Sequence, residues 1–344
     1  MITTSSATQS LDALTPAALH ALEVACARRG HDTAGAVVLQ NGFNQVLRLP
    51  HAAGGRGVIA KLHRPGTRRE AAERQAAVAS WVLEHRVPTA RPLGRPTAVR
   101  GLMVSFTEDL GPGRQADPDE LAVLLHLLHD LPLPDGMPAY APTARLLRRL
   151  AAVPASVMTP AARSEVRLRL EEVERRWWTA EPLTRRHLIH GDVGPANTLV
   201  DRRGVPHLID WETAAAGPPA LDLGACATRR DHYNANPRDY QRICAGYGTD
   251  ITDDDCTYQV LATRAACSGV IVAAELAASR PEWRPQYLLR LACLSALGDP
   301  GCPYPWTWQG GSQLVAPEPQ HRPPADASAQ VLAQLADQPA PLSA

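Results

Sequence analysis

Residues 15–29 (TPAALHALEVACARR) place apolar side chains at helical spacing behind a Thr-Pro start, and Gly30 supplies a stop, so the pattern predicts a first helix there. Three short runs rich in branched residues follow at 36–40, 45–49 and 57–62. They are separated by Asn41-Gly42 and by residues 51–56 with their Gly54-Gly55 pair, and they predict a β-meander. Residues 67–85 are alanine-rich, carry Glu70, Glu73 and Glu84, and predict a solvated helix that ends before Val87-Pro88. Residues 91–96 are turn-rich. Residues 101–107 (GLMVSFT) predict a fifth strand running into Asp109-Leu110-Gly111-Pro112-Gly113, a Gly/Pro cluster suited to a boundary between lobes.

Beyond that cluster the period changes to 3.6, predicting helices over 117–130, 142–152, 160–179, 222–230, 237–247, 253–279 and 283–297. One hairpin interrupts them, with strands at 197–200 and 206–209 turning through Asp201-Arg202-Arg203-Gly204. A lone hairpin in a helical region is there to present something. After Gln309 the chain is rich in Pro and Ala and poor in large apolar residues, which predicts a flexible tail over 310–344. The pattern therefore divides into 1–107, a hinge at 108–113, a helical region at 114–309 and the tail.

With 344 residues the chain can build one large core or two ordinary ones. Lys+Arg and Asp+Glu both total 35, so no global cationic field draws it to nucleic acid or an anionic membrane, and binding must be local. Residues 1–14 lack a basic stretch leading into an apolar run, and the longer apolar stretches are broken by charge; a soluble, cytoplasmic protein is expected. Seven scattered cysteines without a CxxC pair read as reduced core thiols. Of the 35 basic residues, Lys61 is the single lysine. An ammonium is compact where a guanidinium is a wide planar fork, so position 61 is one where a point charge fits.

The hairpin is flanked by His190-Gly191-Asp192-Val193-Gly194-Pro195-Ala196-Asn197 on one side and Ile209-Asp210-Trp211-Glu212 on the other. The turn is expected to return Asp210 beside Asp192 and Asn197, giving two carboxylates and a carboxamide oxygen at one rim. Phosphoryl transfer uses that set: hard oxygen ligands for magnesium, and a further carboxylate to orient a hydroxyl and take its proton. Any one of these residues alone would be an ordinary turn or cap residue. The joint spacing, D-x4-N then strand, turn, strand and I-D, is what argues for chemistry.

HGDVGPAN, IDWE and then Pro219-Ala220-Leu221-Asp222-Leu223-Gly224 closely resemble the aminoglycoside phosphotransferase family and its choline- and homoserine-kinase relatives. The resemblance covers roughly residues 34–298 and implies an α+β, bilobal, protein-kinase-like fold: an N-lobe with a five-stranded antiparallel sheet and a larger, mostly helical C-lobe. It implies Asp192 as catalytic base, Asn197 and Asp210 as Mg2+ ligands, and Asp222 and His190 as structural supports of the catalytic loop. It also implies ATP or GTP as phosphate donor. Lys61, in the third strand, stands where such a lobe places the lysine that contacts nucleotide phosphates. Glu73 is the expected carboxylate partner for it, with Glu70 the alternative, although the family's glutamate lies nearer Gln75. Gly42 and Asn44 fall in the nucleotide-covering turn, and Ser105 and Thr107 in the strand and hinge that face the purine.

The implied acceptor is a hydroxylated small molecule, with neither nucleic acid nor membrane as partner. Candidate acceptor carboxylates are Asp231, Asp239, Asp250, Asp253, Asp254, Asp255 and Glu275, but Arg229, Arg230, Arg238, Arg242 and Arg264 interleave with them. A neutral antibiotic alcohol, such as a nucleoside or sugar-decorated compound, is therefore nearly as good an expectation as an aminoglycoside. Tyr304, Trp306 and Trp308 offer aromatic surface to a ring. A metabolic kinase for choline, homoserine or a sugar is the alternative, and a nucleotide-binding pseudokinase a further one. Lys61, Asp192, Asn197 and Asp210 are all present, which favours a working enzyme, and the absence of a G-x-G-x-x-G loop disfavours a protein kinase.

Overall fold

A computed structural model describes residues 11–50, 57–233 and 235–295, and the statements below concern those residues. The predicted tail, Cys302 and the aromatic trio Tyr304, Trp306 and Trp308 lie outside them. In chain order the elements are α1 (Pro16–Ala27), β1 (Val37–Asn41), β2 (Gln45–Leu49), β3 (Val58–Leu62), α2 (Arg69–Glu84), β4 (Thr97–Val99), β5 (Leu102–Glu108) and α3 (Pro118–His129). There follow α4 (Ala144–Ala152), α5 (Pro160–Trp177), α6 (Glu181–Thr184), β6 (His187–Ile189), β7 (Thr198–Val200), β8 (Pro206–Leu208) and β9 (Ala215–Gly217). The last are α7 (Pro219–Tyr233), α8 (Pro237–Tyr247), α9 (Asp255–Ser279) and α10 (Arg284–Ser295).

The chain forms two compact units. Among the described residues the first holds 11–128 and 195–214, and the second holds 129–194 and 215–295. This partition is not the linear one expected from the Gly/Pro cluster at 108–113. Residues 114–128 and the β7–β8 hairpin belong with the sheet because backbone bonds tie them there: Val200 N donates to Arg114 O at 2.7 Å and Leu208 N to Pro88 O at 3.0 Å.

In the first unit an antiparallel sheet runs in the order β1-β2-β3-β5-β4. Its period-2 alternation sorts the side chains. Leu47, Leu49, Ala60, Leu62, Val104 and Phe106 are buried together with Leu22 and Ala25 of α1, and form this unit's core. Val46, Arg48, Ile59, Lys61, Ser105 and Thr107 fall on the opposite face. The register sets Lys61 between Val46 of β2 and Ser105 of β5. Helix α1 begins as its sequence indicates, with the Thr15 hydroxyl accepting from Ala18 N at 3.2 Å and Pro16 in the first turn. Strand β4, only three residues long, was not among the predicted elements; it pairs Thr97, Ala98 and Val99 with β5.

The second unit packs α4, α5, α9 and α10 around Met158, Leu170, Cys267, Val270, Ile271 and Leu294. Helix α9 is long and apolar enough to cross a membrane by length and composition, but more than half of its most apolar window is buried within this core. Asp254 caps it, accepting from Cys256 N and Thr257 N. The short pair β6–β9 was also not predicted. Its close approach needs Gly217, where a Cβ would lie 2.6 Å from Ile189 Cδ1 and 2.9 Å from Tyr140 Cβ.

Gly113 is the corresponding contact point in the first unit, since a Cβ there would overlap the Val200 carbonyl oxygen and lie 2.9 Å from Leu199 Cδ1. Backbone cannot move aside as a flexible side chain can, so Gly113→Ala is expected to destabilise the protein by about 1–3 kcal/mol. Thermal denaturation checks this; a melting temperature equal to wild type would show that the β7–β8 hairpin shifts freely from residue 113.

Candidate functional site

The face of the sheet opposite α1 forms one wall of a cavity. Val46, Arg48, Ile59, Lys61, Ser105 and Thr107 line it, all by the same strand alternation. Helix α2 supplies a second wall through Ala72, Gln75, Ala76 and Ala79, which recur at i, i+3, i+4 and i+7 and so form one stripe. The floor comes from the hairpin flanks, Asn197, Leu199, Ile209, Asp210 and Trp211. Ile209 N donates to Asn197 O at 2.9 Å, which sets Asn197 and Asp210 side by side as the hairpin pattern predicted. Trp211 anchors that segment by donating its ring N–H to the Thr89 hydroxyl at 2.9 Å.

Lys61 reaches across the cavity to Asp210, with Nζ 2.7 Å from Oδ1 and 4.0 Å from Glu212 Oε2. Gln75 donates Nε2 to the same Asp210 oxygen at 3.1 Å. The expected partner Glu73 is elsewhere: it pairs with Arg69 at 3.7 Å along α2, and Glu70 is exposed in the first turn. The reason is helical phase, since Glu73 lies about 100° round from the Ala72–Gln75–Ala76–Ala79 stripe. That stripe was readable in the sequence and would have pointed to Gln75. Asp210 itself sits at φ +66°, a left-handed conformation uncommon outside glycine and tolerated best by Asp and Asn.

The turn between β1 and β2 is held by a polar triangle. Asn44 Oδ1 accepts from Arg64 N at 3.0 Å, Asn44 Nδ2 donates to Glu212 Oε2 at 3.2 Å, and the Arg64 guanidinium lies 3.3 Å from Glu212 Oε1. Asn44 is thus engaged with protein, and the strands beside the turn, through Leu39, Gln40 and Val46, line the cavity. Gly42 lies at the exposed tip, its N–H donating to Asn44 O at 3.1 Å. Ser105 meets His63, its hydroxyl 2.9 Å from His63 Nε2, while Thr107 pairs with Ile59 and bridges to Pro92.

In the second unit the loop at 190–194 is gripped from α7. Asp222 is fully buried and accepts from His190 N at 2.8 Å and Gly191 N at 2.7 Å, while His129 Nε2 lies 3.1 Å from its Oδ2. Gly191 takes φ +78°, and Asp192 stands exposed just beyond it. Several of the candidate acceptor carboxylates are committed to local structure. Asp231 pairs with Arg230 at 2.6 Å, Glu275 pairs with Arg149, Asp250 accepts from Tyr240 and Thr252, and Asp254 caps α9.

Chemically, the first unit's cavity brings the Lys61 ammonium, the Asp210 carboxylate and the Asn197 carboxamide onto adjoining walls. That donor set suits Mg2+, which is commonly held by one or two protein carboxylate or amide oxygens together with substrate phosphate oxygens. A family model described as "Phosphotransferase enzyme family" matches residues 40–258. Among solved structures, spectinomycin phosphotransferase APH(9)-Ia in complex with ADP and spectinomycin superposes with a TM-score of 0.55 at 15% identity, covering 81% of this chain and 95% of that one. Choline kinase LicA from Streptococcus pneumoniae gives 0.58 at 16% identity, with 80% and 97% covered. Macrolide 2'-phosphotransferase MphH from Brachybacterium faecium gives 0.51 at 21% identity, with 78% and 97% covered. These likenesses show a protein-kinase-like fold. No curated protein sequence matches the chain.

Burial, and after it the neighbouring Lys61 ammonium, push the pKa of His63 down to about 4 from an ordinary 6.5. As pH falls below 6.5 the unfolded chain takes up a proton that the folded chain refuses, so stability drops between pH 6.5 and 4 and then levels. The contribution of this group is up to about 3 kcal/mol. His63→Gln, which can keep the bond to Ser105 without titrating, is expected to flatten part of the fall in urea midpoint over that window. A variant whose pH profile superposes on wild type would show that His63 takes up its proton without loss of the fold.

Proposed function

Because the chain belongs to the phosphotransferase enzyme family, we propose that it moves the γ-phosphate of ATP or GTP onto a hydroxyl of a small molecule, in the first place an antibiotic alcohol that is thereby inactivated. The observation that carries this reading is the convergence of Lys61, Asn197 and Asp210 on one cavity walled by β3, β5 and α2. Lys61 would hold the nucleotide phosphates, and β5 with the residues after it would face the purine. Asp210 and Asn197 would hold Mg2+, which when bound neutralises phosphate charge.

Asp192, five residues before Asn197 in the chain and exposed, is the base of this proposal. Its carboxylate orients the acceptor hydroxyl and takes its proton as the acceptor oxygen bonds to the γ-phosphorus. The bond from that phosphorus to the bridging oxygen breaks, and the nucleoside diphosphate leaves. Asp222 serves this step at one remove, because its two backbone bonds fix the chain at His190 and Gly191. A nucleotide-dependent reaction of this kind fits a cytoplasmic location.

The tying of Asp231, Asp250, Asp254 and Glu275 into local bonds favours an acceptor of low positive charge over a polycation. The same feature, with the likeness to choline kinase, keeps a metabolic acceptor as the second reading. Incubation with labelled ATP or GTP and a panel of aminoglycosides, macrolides, nucleoside antibiotics, choline, homoserine and sugars decides between them by which compound acquires label. With the accepting compound, Asp192→Asn is expected to lose more than nine-tenths of turnover while nucleotide binding persists, and a variant above a tenth of wild-type rate removes Asp192 as base. Lys61→Arg keeps the charge but widens it, and is expected to lose about tenfold in kcat/KM, or about 1.4 kcal/mol. Wild-type kinetics in that variant would move the phosphate site away from Lys61.

A further inference from the structure

Helix α2 faces the cavity with Ala72, Gln75, Ala76 and Ala79, so its wall is uncharged. Its one polar member spends an N–H on Asp210 Oδ1, 3.1 Å away, the oxygen that Lys61 also meets at 2.7 Å. The counter-charge for Lys61 comes from the IDWE segment, Asp210 and Glu212, where the resemblance led one to expect it from α2. We propose that Gln75 is a positioning residue for Asp210: a neutral donor that fixes this carboxylate in the orientation from which it engages magnesium, at a place where a carboxylate would undo the arrangement. The proposal rests on the reading of Asp210 as metal ligand.

The physical argument is one of donor count and sign. Asp210 is held in a left-handed backbone conformation and its side chain is one-third exposed, so burial alone does not fix its rotamer. Two donors on one oxygen do. An amide supplies its N–H without charge, whereas a glutamate at position 75 has no proton to give, repels Asp210 and competes for the Lys61 ammonium. Groups that orient a ligand's carboxylate commonly alter metal affinity by about tenfold or more when removed.

The test uses the full chain and two readouts. ADP affinity is measured by calorimetry with and without Mg2+ for wild type, Gln75→Leu and Gln75→Glu. The protein is also labelled with 13C-lysine, which yields one side-chain Cε resonance because Lys61 is the single lysine. Gln75→Leu is expected to cut the Mg2+-dependent gain in ADP affinity by about tenfold, while metal-free affinity stays within about twofold of wild type, which also certifies the fold. Gln75→Glu is expected to cut the gain at least as far and to shift the Lys61 resonance in nucleotide-free protein. A merely structural role would lower both affinities together, and that result overturns the proposal, as does a Mg2+ gain preserved in Gln75→Leu. If Mg2+ and ADP leave the wild-type Lys61 resonance unmoved, the assignment of the nucleotide site itself falls, and this inference with it.

Discussion

The contact between Lys61 and Asp210 joins two chain segments, the third strand of the sheet and the flank of the β7–β8 hairpin, that are 149 residues apart in sequence. Much of the first unit serves to bring them together. Strand alternation points Lys61 away from the core formed with α1, so the core can be built from Leu47, Leu49, Ala60, Leu62 and Phe106 without meeting the charge. The hairpin is tied to Pro88 and Arg114 by backbone bonds, and Trp211 is fixed on Thr89. A largely buried ammonium with one close carboxylate is then a modest electrostatic gain, because both groups surrender water to make it. Its geometric effect is larger: it sets the opening of the cavity and where the carboxylate of Asp210 lies.

The second unit solves a comparable problem with backbone in place of side chains. Asp222 is fully buried, and each carboxylate oxygen accepts a main-chain N–H from the loop that leads to Asp192. Charge-assisted bonds of this type are about twice as strong as neutral ones, and a buried carboxylate without them would be very costly. The loop therefore holds its shape without a regular element of its own. His129, itself close to Tyr247 with Nδ1 2.8 Å from the hydroxyl, adds a further group at the same carboxylate.

Elements with long, regular periodicity were legible in the sequence: α1, α2, α5, α8 and α9 all lie within or close to their predicted spans, β2 matches its span, and β1, β3 and the hairpin strands differ by a residue at their ends. Among the strands, β4, β6 and β9 escaped: each has three residues, too few to show a period, and β6 and β9 pair across almost thirty residues of chain. In the cavity, the convergence of Asn197 with Asp210 followed from hairpin spacing alone. The partner on α2 did not, because the expectation began from charge, and Glu73 carries the charge while Gln75 occupies the phase. The two compact units likewise divide along lines that turn residues alone do not mark. Turn residues mark where the chain bends, but hydrogen bonds at Arg114 and Val200 decide which residues travel with the sheet.

The same sheet face also explains why one position alone departs from the chain's arginine usage. Arg48 lies on that face and meets one carboxylate, Asp109, with Nε at 2.6 Å and a second nitrogen at 3.2 Å, the two-pronged geometry that a guanidinium favours. Lys61, one strand over, is shared between two carboxylates, Asp210 at 2.7 Å and Glu212 at 4.0 Å. A compact ammonium on a flexible stem can divide its field between two carboxylates without forming a paired set of bonds to either. An arginine there would commit to one carboxylate, as Arg48 does, and leave the other unbalanced. The lysine is thus selected by the number and direction of the anions around it, and the guanidinium next door shows what the alternative does when only one anion is present.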